Sequence, residues 1–267
     1  MNNISFSSRY NFLSTFLAFW EKITTIQTIC ISYNNIAMTK IAKGNPIKQS
    51  ILVSVDSVVF TIVKDKLHVL LTKRAIEPFK DAWALPWWFV KDNESIDEAA
   101  YRDLAEETHV KNVYLEQLYT FGDPKRDVRG RNVTIAYMAV VERENITIQA
   151  GLHTSEVAFY PVDKMPKLAF DHKEIIQYAI KRIQWKLEYT NIAQYLLPKD
   201  FPLTDLQKVY EIVLWKTFDV RNFRKKIMQL GIVKETGKIQ KGMAYRPAKL
   251  FTFVSKKIEI VEVLKAG

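Results

Sequence analysis

From Ile51 onward the chain carries a β-branched run, ILVSVDSVVFTIV, then the polar turn KDK and a second apolar run, LHVLLTKR. Branched side chains suit a pleated backbone, so this pattern predicts a hairpin of two strands and the start of a sheet. Glu77 to Pro86 reads as a loop. Ser95 with Glu98 three residues on has capping-box spacing, which predicts a helix from about Ile96 to Thr108. Ile96, Ala100 and Leu104 recur along one side of it as a buried stripe would. Downstream, VYLEQLYTFGD and VTIAYMAVV read as strands joined by the basic loop DPKRDVRGRN, and LAFDHKEIIQYAIKRIQWKL as a second long helix.

Pro198 to Pro202 breaks this pattern and marks a boundary. Beyond it Leu206, Val209, Tyr210, Val213 and Leu214 follow the stripe of a core-facing helix, with Thr204 and Gln207 spaced as a second capping box. After the turn WKTF, Asp219 is placed to cap a further helix whose apolar side is Val220, Phe223, Ile227 and Leu230. That helix is expected to stop at a left-handed Gly231. IVKET, a turn at Gly237 and AYRPAKLFTFV then read as two strands. Two helices joined by a tight turn and followed by a hairpin predict a winged helix-turn-helix.

At 267 residues, 48% hydrophobic and 25% charged, the chain has a globular composition that excludes disorder, collagen and a disulfide scaffold. Its one cysteine, Cys30, cannot form an internal bridge, and a cytoplasmic location is expected. Residues 1–48 form a poorly defined extension, and Met38 is an alternative start. The apolar run from Phe12 to Trp20 is too short to span a bilayer, so no membrane partner is expected.

The net charge of +10 is unevenly placed, since residues 198–267 hold 15 Lys and Arg against 7 Asp and Glu. Arg221, Asn222, Arg224, Lys225 and Lys226 lie on the outer side of the second helix of the pair, with Arg246 and Lys249 on the wing. Such cations neutralise phosphates, and those near the helix start reach base edges in a major groove. A generic basic protein-interaction domain is the competing reading.

Asp103, Glu106 and Glu107 are neighbours at i, i+3 and i+4 on the first helix. Their repulsion must be offset, either by Arg102 one i+4 step before Glu106 or by a hard divalent cation such as magnesium. A solvated acidic face is the plain alternative. Arg126, Arg129 and Arg131 in the basic loop have guanidinium forks suited to phosphate. His172 reads as a cap or a satisfied surface histidine, because no His or Cys stands at metal-ligand spacing from it.

Read from Trp88, the segment W-FVKDN-E-SIDEAAY-R-D-L-A-E-E-T-H-V resembles the Nudix box, G-x5-E-x7-R-E-U-x-E-E-x-G-U, with U aliphatic. Glu94, Arg102, Leu104, Glu106, Glu107 and Val110 fall on family positions, Asp103 shortens a glutamate, and Trp88 and His109 replace the glycines. The resemblance implies a Nudix α/β/α sandwich with a mixed sheet over residues 49–190, followed by the small winged helix-turn-helix at 198–256. In active members the box glutamates hold magnesium and water attacks a nucleoside diphosphate linked to another group. The substitutions here favour sensing over hydrolysis, leaving Glu94 and Arg102 as a box remnant and magnesium possible but not required. A magnesium-dependent Nudix hydrolase is the alternative.

Trp87 and Trp88 stand where the family has two glycines, and Trp215 occupies a turn that often contains glycine. Either the indoles fill the old substrate space, or the codons encode glycine and are misread as tryptophan. The whole, with RNFRKK and RPAKLF, resembles the Nudix-related transcriptional regulators of NrtR type. That resemblance implies a sensor for a small metabolite, such as ADP-ribose or a sugar, and operator DNA bound by a homodimer.

Overall fold

The computed structural model describes residues 51–108, 113–148, 154–240 and 247–264, without the side chains of Glu107, Thr108 and Asn145. The extension to position 48, with Cys30 and Met38, lies outside the described residues, as do His109, Val110 and Arg246. The β-branched run forms β1 (Leu52–Val63) and the next apolar run β2 (Lys66–Arg74). They pair antiparallel around Lys64 and Asp65, whose φ angles of 47° and 57° give the hairpin turn that matches strand twist.

β3 (Trp83–Ala84) joins β2, and β4 (Trp87–Phe89) joins β1. Helix α1 (Ile96–Thr108), strands β5 (Tyr114–Phe121), β6 (Asn132–Val140) and β7 (Thr154–Pro161), and helix α2 (His172–Tyr189) follow. β1 and β6 run parallel and their other pairings are antiparallel, giving a mixed seven-stranded sheet.

Strand alternation creates the layers. Val58 and Phe60 of β1, with Val69 and Leu71 of β2, pack with Ile175, Ile176 and Ile183 of α2. The intervening Val59 and Leu70 pack with Leu104 of α1 on the opposite face. The expected α/β/α sandwich is therefore present. The stripe of α1 differs from the expected one: Ile96 is 40% exposed, and burial begins a turn later at Ala99 and Ala100.

Residues 192–196 make a 3-10 turn, and β8 (Phe201–Pro202) leads into α3 (Leu203–Leu214) and α4 (Val220–Leu230). β9 (Val233–Ile239) and β10 (Lys249–Phe253) form the wing, with β10 central between β8 and β9. The predicted stripe from Leu206 to Leu214 is buried throughout. Thr204 does not cap, because the helix begins one residue earlier; Gln207 instead donates to the Phe218 carbonyl at 2.9 Å and ties the turn closed. Gly237 lies inside β9 with φ 75°, where the wing register shifts, so it serves a bulge. The break at Pro198–Pro202 does not interrupt burial: one apolar cluster runs from Val58 through Phe201, Tyr210 and Phe223 to Val263.

Candidate functional site

Helix α1 opens as its sequence demands. The Ser95 hydroxyl accepts from the Glu98 N–H at 3.2 Å, and the Glu98 carboxylate accepts from the Ser95 N–H at 2.8 Å. Just before the cap, Arg102 forks onto Glu94 at 2.9 and 2.7 Å, and the Lys91 N–H donates to the same carboxylate at 2.8 Å. These hydrogen bonds, the Arg102 pair foremost, hold the Glu94 carboxyl at about 2. Glu94 and Arg102 thus staple the loop to the helix.

Asp103 and Glu106 of the acidic trio do not share a face as the spacing suggests. Asp103 is 2% exposed on the sheet side, with the Ser57 hydroxyl of β1 donating to it at 3.4 Å. The Glu106 side chain is 61% exposed and pairs with Arg102 at 3.4 Å. The Glu107 side chain is outside the described set. Among the described residues no three His, Cys, Asp or Glu side chains gather as a metal site. Asp103 is buried against β1 and the Glu106 side chain stands mostly in solvent, so these two carboxylates do not converge on one another.

The basic loop between β5 and β6 gives each arginine a separate partner. Arg126 forks onto Asp171 at 2.9 and 2.8 Å and also reaches Asp56 of β1 at 3.1 Å, with its side chain 4% exposed. Its donors are therefore engaged by carboxylates, and the expected open fork for phosphate is not offered there. His172 is buried, not at the surface: its Nδ1 accepts from the Leu85 N–H at 2.8 Å and its Nε2 lies 3.5 Å from Asp56. Burial drives the imidazole down to about 3, so it is neutral, while burial raises Asp56. Arg129 forks onto Asp127 at 3.0 and 2.7 Å, and Arg131 donates to the Gly122 carbonyl at 2.6 Å.

Arg129 also stands 4.7 Å from the centre of the Trp87 ring, with Arg74 on the same indole at 5.3 Å and over Phe170 at 5.0 Å. Cations over aromatic faces are stabilised by the ring quadrupole. Arg74, buried and donating to the Pro78 carbonyl at 2.7 Å, was missed by sequence reasoning. The available signal was an arginine in phase with Leu70 and Thr72 along β2. A cavity of about 740 Å³ is walled by Phe170 and Asp171 together with Lys167 and Lys173. Trp87 and Trp88 lie in extended β4 and not at positive φ, whereas Trp215 has φ 54° at the end of α3. Of the three tryptophans only Trp215 has the left-handed backbone that favours glycine.

In the second half, the Asp219 carboxylate accepts from the Asn222 N–H at 2.9 Å and starts α4, which ends at Gly231 with φ 65°. Phe223 and Ile227 are buried, fixing the helix by one side. The opposite side leaves Arg221, Asn222, Arg224 and Lys225 exposed and Lys226 partly so. Among the described residues none of those four cations has a carboxylate within ion-pair distance. On the wing, Lys249 pairs with Glu235 at 3.0 Å. A capped helix anchored by apolar residues and presenting unpaired cations beside a β-hairpin has the charge and shape of a groove reader.

Comparison with known proteins agrees part by part. Residues 54–179 match the NUDIX domain model, and residues 193–253 match the NrtR DNA-binding winged helix domain. The ADPR responsive transcriptional repressor NtrR of Acinetobacter baylyi is 36% identical over 206 residues, covering 76% of this chain and 82% of that protein. The chain belongs to this family of Nudix-related transcriptional regulators. Shewanella oneidensis NrtR, crystallised with a 27mer DNA, superposes with a TM-score of 0.67 at 34% identity, covering 75% of this chain and 93% of that one. The ADP-ribose pyrophosphatase of Methanocaldococcus jannaschii is 35% identical over 126 residues, 47% of this chain and 71% of that protein. The matched winged-helix domain holds α3, α4 and the hairpin β9–β10. Among the described residues no helix is long and apolar enough to cross a membrane.

Proposed function

We propose that this regulator binds operator DNA through α4 as a homodimer, in the cytoplasm, and that its Nudix-like part controls binding by holding a metabolite of the ADP-ribose class. The observation that carries the reading is the cationic side of α4, which has no carboxylate within ion-pair distance among the described residues and is presented by a helix whose other side is locked into the core. The relatives support both halves: one is an ADPR responsive repressor and another was crystallised on DNA. ADP-ribose is favoured over a sugar by that repressor and by the pyrophosphatase relative. Magnesium is not required for operator binding in this reading.

A ligand shifts such an equilibrium only through its differential affinity for the two arrangements. The test is fluorescence anisotropy of a duplex taken from upstream of the gene, titrated with protein with and without ADP-ribose, in EDTA and in magnesium. The reading expects duplex binding in EDTA that ADP-ribose weakens at least tenfold. Tight duplex binding indifferent to ADP-ribose contradicts the sensing half, and steady release of AMP from ADP-ribose supports a hydrolase instead.

A further inference from the structure

The winged-helix match ends at residue 253, yet the described chain continues to Leu264 and turns back onto the Nudix-like half. Its contacts fall on the C-terminal end of α2. The Val261 N–H donates to the Tyr189 carbonyl at 2.8 Å, and the Val263 N–H to the Glu188 carbonyl at 2.9 Å. The last carbonyls of a helix have no partner within it, so these donors satisfy groups that a buried helix end must satisfy somehow. Thr190 and Ile260 form an antiparallel bridge.

Asn191, 1% exposed, is the centre of the junction. Its backbone N–H donates to the Glu259 carbonyl at 3.4 Å, its Nδ2 donates to the Lys257 carbonyl at 3.0 Å, and its Oδ1 accepts from the Glu259 N–H at 2.9 Å. Val263 is fully buried, and Ile258, Val261 and Leu264 pack against the main core.

The winged helix is therefore held from both ends. At its start it continues from α2 through the turn at 192–196, and at its end β10 runs into a tail bonded to the same helix terminus. The other end of α2 begins at Asp171 and His172, inside the buried network with Arg126 and Asp56. An 18-residue α2 thus spans about 27 Å between that network and the tail. A segment tethered at one point can swing freely, whereas one tethered at two must follow its anchor.

We propose that residues 255–264 are a coupling strap, which makes displacement of α2 at its sensor end move the wing and α4 as one body. The regulatory half of this claim rests on the sensing reading above; the mechanical half does not. The experiment uses the full chain and its Asn191→Ala variant, with Glu259→Pro as a milder second variant that deletes one donor from an exposed position. Two quantities are measured: hydrogen exchange in residues 233–239 and 249–253, and the fold-change in duplex affinity caused by ADP-ribose.

The strap predicts that a variant unfolding as cooperatively as the parent exchanges its wing amides at least tenfold faster, with α2 protected between residues 175 and 185. Its ADP-ribose response shrinks at least fivefold. Wing amides exchanging at the parental rate overturn the strap, as does an undiminished response in a folded variant. If the parent itself shows no ADP-ribose response, the sensing reading fails and the wing exchange alone decides the strap.

Discussion

Arg126 grips Asp171 with two parallel hydrogen bonds, at 2.9 and 2.8 Å, and so joins the basic loop to the first turn of α2. Asp56 accepts a further bond from the same guanidinium at 3.1 Å. Removing the cation strands two carboxylates in a dry site. Arg126→Ala is expected to lower stability by about 3–5 kcal/mol, the range for breaking one side of a buried pair. Urea denaturation checks it; a loss below about 1 kcal/mol contradicts the structural role.

His172 makes stability depend on pH with a defined sign. Its folded pKa is lowered from 6.5 to about 3 by burial, so the unfolded chain binds the extra proton between those values. Stability from this group is complete above about pH 6.5 and is lost as pH falls towards 3, by at most about 1.4 kcal/mol per pH unit. The raised Asp56 acts in the opposite sense, which makes the comparison with a His172→Gln variant the decisive one. The parent should lose stability more steeply than that variant between pH 6 and 4. Parallel profiles contradict the neutral buried imidazole.

Trp215 closes α3 in the left-handed region, with φ 54°, ψ 38° and 64% exposure. A left-handed backbone costs a side-chain-bearing residue about 1–2 kcal/mol, and the exposed indole has little burial to offset it. Trp215→Gly is expected to raise stability by about 1 kcal/mol, seen as a higher thermal midpoint. A lower midpoint would show that the indole is packed in solution. The codons at 87, 88 and 215 test the misreading separately.

Much of this fold was legible because its signals are local. The alternation of Val58, Val59 and Phe60 assigns the two sheet faces, and Ser95 with Glu98 marks the start of α1. The reader was legible for the same reason, since Asp219, Phe223, Ile227 and Gly231 lie within one helix and its caps. What escaped depends on distant partners. Nothing near Arg126 in sequence announces Asp56 or Asp171, so its two buried ion pairs could not be foreseen. Helical spacing puts Asp103 equally beside Ala99 and Ala100 or beside Glu106, and only packing against Ser57 decides. The tail from Ser255 forms no helix or named strand of its own, and its order comes from the end of α2.

The proposed role of α4 is to read a duplex. Its most direct test is operator affinity measured by anisotropy across a salt series for the parent, Arg221→Glu, Arg224→Glu and the double variant. Each phosphate contact contributes about −0.9 to the slope of log affinity against log salt. A steep parental slope and loss of specific binding in the double variant, with the fold intact, are expected. Specific binding that survives both reversals, with an unchanged slope, would contradict it.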